Sequence, residues 1–343
     1  MPSEAINVAG IKVSQPLSAE LEISFFETVN MGAGQYATNP WLMEMPDPIT
    51  RTVWGNYLAV PVTWDGVRSF DGYKGFNEEE YRGKADKVNI DVNGVSQTAT
   101  VVRQFGQKEG TVATALGYGR SVVGETGKNT GNNVFPWLST DADGNTQYYA
   151  AVNSVSESVE VDELFACVQY HHTMGVKGIG KEGTEINVDE AATVDDNILA
   201  RALGVTGFQG SLTQRSVIRQ GNLEEIEQFA TDLVHEREHH QKLNSYGLYP
   251  DRSDVYGNGH HWGMYVDLNG CIGCGACQVA CIAENNVPVV GKVEVARHHE
   301  MTWMRIDRYY YGDYENPNVV YQPMMCQHCD NAPCENVCPV AAT

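Results

Sequence analysis

Eight of the nine cysteines in this 343-residue chain fall into two short runs near its C-terminal end. The first run, CIGCGACQVAC, has the spacing C-x2-C-x2-C-x3-C, and the second, CQHCDNAPCENVCP, has C-x2-C-x4-C-x3-C-P. Three closely spaced thiolates hold one cubane cluster from a single loop, while the fourth cysteine, a helical turn later, ligates a different cluster. The pattern predicts at least two 4Fe-4S clusters, with the ligands Cys271, Cys274, Cys277, Cys281, Cys326, Cys329, Cys334 and Cys338.

Other uses of closely spaced cysteines fit these runs less well. A structural zinc ion takes two cysteine pairs and has no use for a third cysteine two residues on, followed by a fourth. Disulfides would have to pair cysteines almost in register within one run. The ninth cysteine, Cys167, lies in an alternating apolar segment and is predicted to be a small buried side chain. Gly273 and Gly275 are predicted to permit a tight turn and a close approach of the backbone to the cluster.

Composition limits the partners of the chain. With 23 basic and 44 acidic residues its net charge is -21, which argues against binding nucleic acid or anionic lipid. The charge suits a basic redox partner, and it equally suits the plain role of keeping a large protein soluble. No segment reaches the ~20 apolar residues of a membrane-spanning helix, and MPSEAINVAG at the start lacks a signal-peptide pattern. Because the sequence stops five residues after Cys338, we expect it to be a fragment.

Strands are predicted throughout the part that precedes the cysteine runs. A strand is predicted over 19–29 from its alternation of apolar and polar residues. A hairpin over 88–104 turns at Asn93-Gly94, where both residues must tolerate positive φ. Further strands are predicted over 154–170, 264–268 and 302–310. The last of these contains the first two of three consecutive tyrosines, 309–311, which are expected to shield the clusters from water.

Two other stretches of this part are predicted to be loops. Residues 39–60 contain three prolines together with Trp41 and Trp54, and are predicted to form an ordered, packed loop because tryptophans are rarely left exposed to water. The glycine-rich stretches 116–127 and 128–136 lack the flanking strand and helix of a phosphate-binding loop. They are therefore predicted to be turns or surface loops.

The clearest predicted helix covers 222–244. Asn222 is its predicted cap, Glu225 completes a start that resembles a capping box, and the apolar face is formed by Leu223, Ile226, Phe229, Ala230 and Leu233. Residues 235–239 read HEREH and match the H-E-x-x-H pattern of zinc proteases. The charged surroundings favour a solvated helix end, since a catalytic zinc also needs a third ligand and a buried cleft. Residues 173–220 are predicted to be a linker or an extended loop.

Particular stretches resemble known proteins. CQHCDNAPCENVCPVAA (326–342) is similar to the second cysteine motif of the four-cluster ferredoxin subunits that accompany molybdopterin oxidoreductases and polysulfide-reductase-like enzymes. Residues 260–310 more narrowly resemble the iron–sulfur subunit of bacterial alternative complex III, a quinol-oxidising complex. In that subunit a molybdopterin-oxidoreductase-like region precedes the ferredoxin region in one chain. NPWLMEMPDPITRTVWGNY (39–57) and GTVATALGYGR (110–120) resemble the end of that first region.

The resemblance implies an α+β fold: a β-rich, barrel-like domain similar to the C-terminal part of molybdopterin oxidoreductases, followed by a polyferredoxin-like iron–sulfur domain. The expected divisions are 1–172 for the β-rich domain, 173–256 for the linker and charged helix, and 257–343 for the first half of the ferredoxin-like domain. GAGQYATNPWL (32–42) stands where active molybdenum enzymes commonly place His and Thr contacts to their cofactor, so no molybdopterin is expected.

The resemblance also changes the expected sharing of clusters. If the two runs shared clusters only with each other, the ligation would be crossed. Cys338 would then complete the cluster held by the first three cysteines of the first run, and Cys281 would complete the cluster held by the first three of the second run. The family carries four cysteine motifs, of which the first shares clusters with the fourth and the second with the third. Only two are present here, so the remaining partners would lie in a longer chain, whose complete form could also hold a 3Fe-4S cluster. The eight predicted ligands are the same in either pairing.

The function implied is electron transfer within a hetero-oligomeric complex. A membrane subunit of the polysulfide-reductase type oxidises quinol, and this subunit passes electrons to c-type cytochrome subunits on the periplasmic side of the bacterial inner membrane. No acid, base or nucleophile stands out, so the chain is interpreted as an electron-transfer part and not as a catalyst by itself. Two alternatives stay open: the iron–sulfur subunit of an active molybdopterin oxidoreductase of the DMSO or polysulfide reductase type, and a mainly structural assembly platform.

Overall fold

A computed structural model describes residues 21–61, 84–169, 174–175, 223–244, 254, 257–260, 262–312, 316–329 and 332–340. Its strands are β1 Glu22–Phe26, β2 Leu58–Pro61, β3 Ala85–Val92, β4 Val95–Gln104, β5 Thr111–Ala115, β6 Ser139–Thr140, β7 Thr146–Gln147, β8 Tyr149–Asp162, β9 Met174–Gly175, β10 Met304–Gly312 and β11 Pro317–Met325. Its α-helices are α1 Pro40–Glu44, α2 Ile226–Asn244, α3 Ala276–Glu284, α4 Lys292–Ala296 and α5 Pro333–Asn336. Single 3₁₀ turns cover Phe135–Trp137 and Leu223–Glu225. The mixed α+β class and the sheet-rich N-terminal region agree with the sequence prediction.

Six strands form one sheet in the closed order β1-β5-β2-β4-β3-β8, since β8 pairs with both β3 and β1. The pairs β1–β5 and β2–β4 are parallel, and the other neighbouring pairs are antiparallel. The predicted hairpin is confirmed: β3 and β4 pair around Asn93 (φ 53°) and Gly94 (φ 77°). Val92 pairs with Val95 across the hairpin, so Asn93 and Gly94 form a two-residue turn. Both have the positive φ values that an Asn-Gly turn requires.

The core of this sheet draws on all six strands. Val88, Ile90 and Val92 of β3 are completely buried and alternate with polar residues, as expected for a strand with one face turned inward. The indole of Trp137 is buried among them and donates from Nε1 to the Val95 carbonyl at 2.8 Å. Burial of such apolar side chains is the dominant stabilising term of the sheet.

The segment 39–60 is ordered and packed as predicted, but part of it is regular structure and not loop. The side chain of Asn39 caps α1 by accepting from the backbone N–H groups of Trp41 and Leu42, and Pro40 occupies the first turn, where its missing N–H costs nothing. The segment ends in β2, which lies between β4 and β5. Trp54 is buried, with 6% of its surface exposed. The glycine-rich stretches 116–136 hold no strand or α-helix in the described chain, as predicted.

The β8 region confirms the strand predicted over 154–170 only as far as Asp162. Beyond it the chain runs beside residues 51–53, where Val53 N–H donates to Ala166 O at 3.0 Å and Val168 N–H to Arg51 O at 2.9 Å. Cys167 is 1% exposed and packs with Tyr57 and Phe165. Its predicted role as a small buried side chain is confirmed.

In the C-terminal part, β10 confirms the strand predicted over 302–310 and pairs antiparallel with β11. β10 also pairs in parallel with β9, within the stretch predicted to be a linker. The strand predicted over 264–268 is wrong, because this segment has no regular structure in the described residues. Three of its four apolar side chains are exposed, with Tyr265 at 89% and Met264 at 59%, and none is fully buried, so the alternation reflects no buried face.

Helix α2 confirms the predicted helix from Ile226 to Asn244, with Glu225 in the 3₁₀ turn before it and the predicted cap, Asn222, outside the described residues. Its apolar face is largely uncovered: Leu223 is 83% and Ile226 55% exposed. Among the described residues, no helix combines the length and apolar character needed to cross a membrane.

Contacts between α1 and the segment after α3 join the sheet region to the cysteine region. Trp41 Nε1 donates to Val287 O at 2.9 Å. The buried Glu44 carboxylate accepts from the backbone N–H of Gly291 at 2.8 Å, from that of Val290 at 3.2 Å and from Trp54 Nε1 at 3.1 Å. All three donors reach the same carboxylate oxygen, Oε2, and these hydrogen bonds compensate for its burial.

Candidate metal centre

The first cysteine run forms a loop that leads into α3. Cys271 and Cys274 are half-buried in the loop, and Cys277 and Cys281 lie on the helix. Because residues four apart on a helix share a face, these last two thiols lie on the same side, one turn apart. The loop turns at Gly273 (φ 68°) and Gly275 (φ 78°), both in the left-handed region. The predicted tight turn is therefore present.

The space that a side chain would occupy at these two glycines is taken by other parts of the chain. A Cβ at Gly273 would lie 2.4 Å from the ring of Tyr321 in β11, and one at Gly275 would lie 2.7 Å from Cε of Met45. The glycines thus let the loop sit against β11 and against the segment after α1. Sequence reasoning missed both neighbours, because neither contact leaves a local pattern.

The thiols of the first run are close enough to influence one another. Burial raises the pKa of Cys277, and the charges that Cys271 and Cys274 would carry raise it further. Without a cofactor this thiol therefore keeps its proton to higher pH than an ordinary cysteine. Since only the thiolate ligates metal, cluster binding must release protons here.

The second run follows directly from β11. Cys326 and Cys329 are exposed, Cys334 lies on the short helix α5, and Cys338 follows it. His328 has φ 50° and stands two residues after the first cysteine of its run, as Gly273 does in the other run. Both loops thus use a left-handed residue at the same position. The sequence conceals this likeness, because histidine, unlike glycine, does not signal positive φ.

Strand β11 connects the two runs. Tyr321 packs on the first loop, and Cys326 follows the last residue of the strand. Tyr310, one of the three tyrosines predicted to shield the clusters, is buried and packs against Phe105 of the segment after β4, with ring centroids 4.9 Å apart. Tyr321, which was not predicted, contacts the first cysteine loop. Burial raises its pKa to about 12, so it is neutral at physiological pH.

The donor set suits an iron–sulfur cluster. Both loops offer only sulfur from cysteine at these positions, which is the ligand type that Fe–S clusters take. Among the described residues, no three His, Cys, Asp or Glu side chains converge as ligands of a single metal ion. In a cubane cluster each thiolate binds a different iron, so its ligands stand farther apart than those of a single ion.

The zinc-protease pattern lies on the exposed part of α2. The side chain of His235 is 75% exposed, and its Nδ1 lies 4.0 Å from Oε2 of Glu238. No third ligand accompanies the two histidines of the pattern within the described chain. The arrangement agrees with the predicted solvated helix end.

Comparison with known proteins supports the cofactor. Residues 270–342 match the family of 4Fe-4S dicluster domains, a range that contains all eight predicted ligands. The cofactor is of the 4Fe-4S type. The matched residues comprise the first loop, α3, α4, the β10–β11 hairpin and the second loop.

Several curated proteins are similar to this part of the chain. A putative iron-sulfur subunit of dimethyl sulfoxide reductase from Halobacterium salinarum is 40% identical over 86 residues, which are 24% of this chain and 33% of that protein. A tetrathionate reductase subunit from Salmonella typhimurium is 40% identical over 90 residues, which are 24% of this chain and 30% of that protein. The iron-sulfur cluster-binding subunit of menaquinone reductase from Nitratidesulfovibrio vulgaris is 39% identical over 83 residues, which are 24% of this chain and 32% of that protein.

The chain spans about a third of the length of these relatives. The match to the 4Fe-4S dicluster family confirms the iron–sulfur character of residues 270–342. The relatives named here are subunits of reductases, and two of them are named as iron–sulfur subunits.

Proposed function

We propose that the chain is the iron–sulfur electron-transfer subunit of a quinol-oxidising complex of the alternative complex III type. A membrane subunit of the polysulfide-reductase type would supply the electrons, and c-type cytochrome subunits would accept them, on the periplasmic side of the inner membrane. When bound, 4Fe-4S clusters supply one-electron transfer. The residues of the chain position them and set their surroundings.

The observation that carries this proposal is the union of two regions in one chain. The sheet region contacts the cysteine region through Glu44 and Trp41, while the similar subunits named above match only about a quarter of this chain. A molybdopterin-oxidoreductase-like region fused to a ferredoxin region favours alternative complex III over a separate reductase subunit. We accordingly propose the divisions 1–172, 173–256 and 257–343, and a sheet region without molybdopterin.

Roles within the proposed site follow from position. The eight cysteines of the two runs are the proposed ligands. Gly273 and Gly275 let the first loop pack against Tyr321 and Met45, so that the first three cysteines of the run present their thiols from a fixed turn. Tyr321 covers that loop with a buried, neutral ring, which keeps water from one side of it.

A metal and sulfide count on the native complex, combined with redox-titrated EPR, tests the proposal. About sixteen non-haem iron atoms per complete subunit are expected for four 4Fe-4S clusters, or about fifteen if one of the four is a 3Fe-4S cluster, without molybdenum. Molybdenum with pterin would favour the iron–sulfur subunit of an active molybdopterin oxidoreductase instead. Partner subunits that stay bound after cluster loss would favour an assembly platform.

Cysteine variants test the ligands one at a time. Cys274→Ser and Cys329→Ser are each expected to lose iron and the EPR signal of one cluster, because serine does not replace a thiolate ligand at full affinity. Cys167→Ala is the matched control: its thiol is buried between Thr50 and Gln169 and contacts their carbonyl oxygens. Retention of all iron in a variant of either run would remove that cysteine from the ligand set.

A further inference from the structure

The residue that ends helix α3 contacts a predicted cluster ligand. The side-chain amide nitrogen Nδ2 of Asn285 lies 2.9 Å from the carbonyl oxygen of Cys281 and 3.6 Å from its Sγ. An amide NH₂ group has two hydrogens, so one side chain can donate to both atoms. The backbone N–H of Asn285 also donates to the Cys281 carbonyl, at 3.1 Å.

Helix geometry places the amide there. Asn285 follows Cys281 by four residues, so the two side chains lie on the same face, one turn apart. The helix ends at Glu284, and Asn286 adopts φ 48°, which stops the helix immediately after the amide. Capping the helix explains the contact with the carbonyl oxygen. It does not require the second contact, with the sulfur.

We propose that Asn285 raises the reduction potential of the cluster bound through Cys281, by donating an N–H···S hydrogen bond to its thiolate. The proposal rests on the ligand role of Cys281 in the proposed function. Reduction adds negative charge to the cluster and its sulfur ligands, so a donor at the sulfur stabilises the reduced state more than the oxidised state. Hydrogen bonds to cluster sulfurs are among the factors that set such potentials.

The test compares two variants of the complete complex by EPR-monitored redox titration. Asn285→Leu removes the donor with a similar side-chain shape and no change of charge, and is expected to lower the midpoint potential of one cluster while leaving the others unchanged. Asn286→Gly removes the neighbouring amide and keeps the positive φ, and is expected to shift no potential. If Asn285→Leu retains all its iron and all wild-type potentials, Asn285 is only a helix cap and the proposal is wrong.

Because leucine also removes the cap, a second measurement uses the unaltered side chain. Protein labelled with ¹⁵N in its asparagine side-chain amides should show a ¹⁵N coupling to a reduced cluster in pulsed EPR, and the labelled Asn286→Gly protein should keep it. Absence of the coupling would overturn the proposal. A separate variant, Cys281→Ser, tests the ligand role: unchanged iron there would refute the ligation and leave the hydrogen-bond geometry untouched.

Discussion

Gln169 and Arg308 exchange two hydrogen bonds across the junction of the sheet and cysteine regions. The Arg308 backbone N–H donates to Oε1 of Gln169, and Nε2 of Gln169 donates to the Arg308 carbonyl, both at 2.7 Å. Both residues are buried, with 5% and 1% of their surface exposed. The amide of Gln169 thus pairs with β10 in the way a neighbouring strand would. Arg308 in turn reaches back with its guanidinium to the carbonyl of Ile49.

Replacing Gln169 by leucine should destabilise the junction. Two buried backbone groups of Arg308 would lose their partners, at a cost of roughly 2–4 kcal/mol in the free energy of unfolding. Denaturant unfolding followed by circular dichroism measures this cost. Gln97→Leu, which removes a hydrogen bond to Asn133 at the surface, should change stability by less than about 0.5 kcal/mol. Equal effects of the two variants would contradict the buried pairing.

The two left-handed residues of the cysteine loops should respond differently to substitution. Gly273→Ala places a Cβ 2.4 Å from the Tyr321 ring at φ 68° and should cost roughly 1–3 kcal/mol, with loss of iron from the first loop. His328→Gly removes the strain of a side chain at positive φ and should stay within about 1 kcal/mol of wild type. Iron content and thermal unfolding measure both effects.

Gly270→Ala is the matched control for the first loop. A Cβ there would meet Asp267 at 3.5 Å, an ordinary contact. If this variant lost as much iron as Gly273→Ala, the loss would reflect general sensitivity of the loop and not its turn.

Glu44 should be required for the contact between α1 and the cysteine region. Glu44→Gln keeps the size of the side chain but removes its charge. Trp54 Nε1 and the backbone N–H groups of Val290 and Gly291 all donate to one oxygen, Oε2, so a neutral amide oxygen in its place would accept weaker hydrogen bonds from all three. A loss of about 2–4 kcal/mol is expected, because hydrogen bonds to charged groups are the stronger ones. Faster hydrogen exchange at the Gly291 amide would report the weakened hydrogen bond to residue 44 directly.

The exposed Glu27 provides the comparison for this change. Glu27→Gln should leave hydrogen exchange at Gly291 as in wild type. Unchanged exchange in both variants would show that Glu44 does not hold the junction.

Stability should fall in alkali through Tyr321. Its folded-state pKa of about 12 lies above the ordinary value of 10.0, so between these pH values the unfolded chain releases a proton that the folded chain keeps. The stabilisation is therefore complete below pH 10 and is lost as pH rises towards 12. Arg51, whose pKa burial and Arg308 lower to about 10, acts in the opposite direction, so the test compares variants and not wild type alone.

Tyr321→Phe should unfold with a smaller loss of stability between pH 9 and pH 11 than the wild type, as followed by denaturant midpoints. Tyr148, which is 45% exposed, supplies the control Tyr148→Phe, with a wild-type pH dependence expected. A steeper loss in Tyr321→Phe than in wild type would reverse the sign of the predicted linkage.

Local signals predicted the parts of the fold that depend on neighbours in sequence. Asn93-Gly94 predicted the β3–β4 turn, and the cysteine spacing predicted the cofactor, since both depend on a few adjacent residues. Strand β11 was missed because Pro317 and Pro323 argue against a strand. They are tolerated because, in the described sheet, β11 lies at the edge and pairs only with β10.

Non-local contacts explain the remaining differences. Residues 264–268 have a strand pattern but no partner strand in the described chain, and strand propensity depends on such partners. The packing of Tyr321 on Gly273 and of Met45 on Gly275 joins segments that are distant in sequence. Periodicity and spacing report only local constraints, so they carry no trace of these pairs.

The hydrogen bond from Trp41 to Val287 spans 246 positions of the chain. At a synthesis rate of about 5–20 residues per second, about 12–50 s pass on the ribosome between the two residues. Helix α1 has five residues, too few to be stable alone. The carboxylate of Glu44 can form its hydrogen bonds with Val290 and Gly291 only after those residues have been synthesised. We therefore expect residues 40–44 to adopt their native helical structure late in biosynthesis, only after the first cysteine loop has left the ribosome. Assembly of the sheet region thus finishes no earlier than that of the segment which is to receive the cofactor.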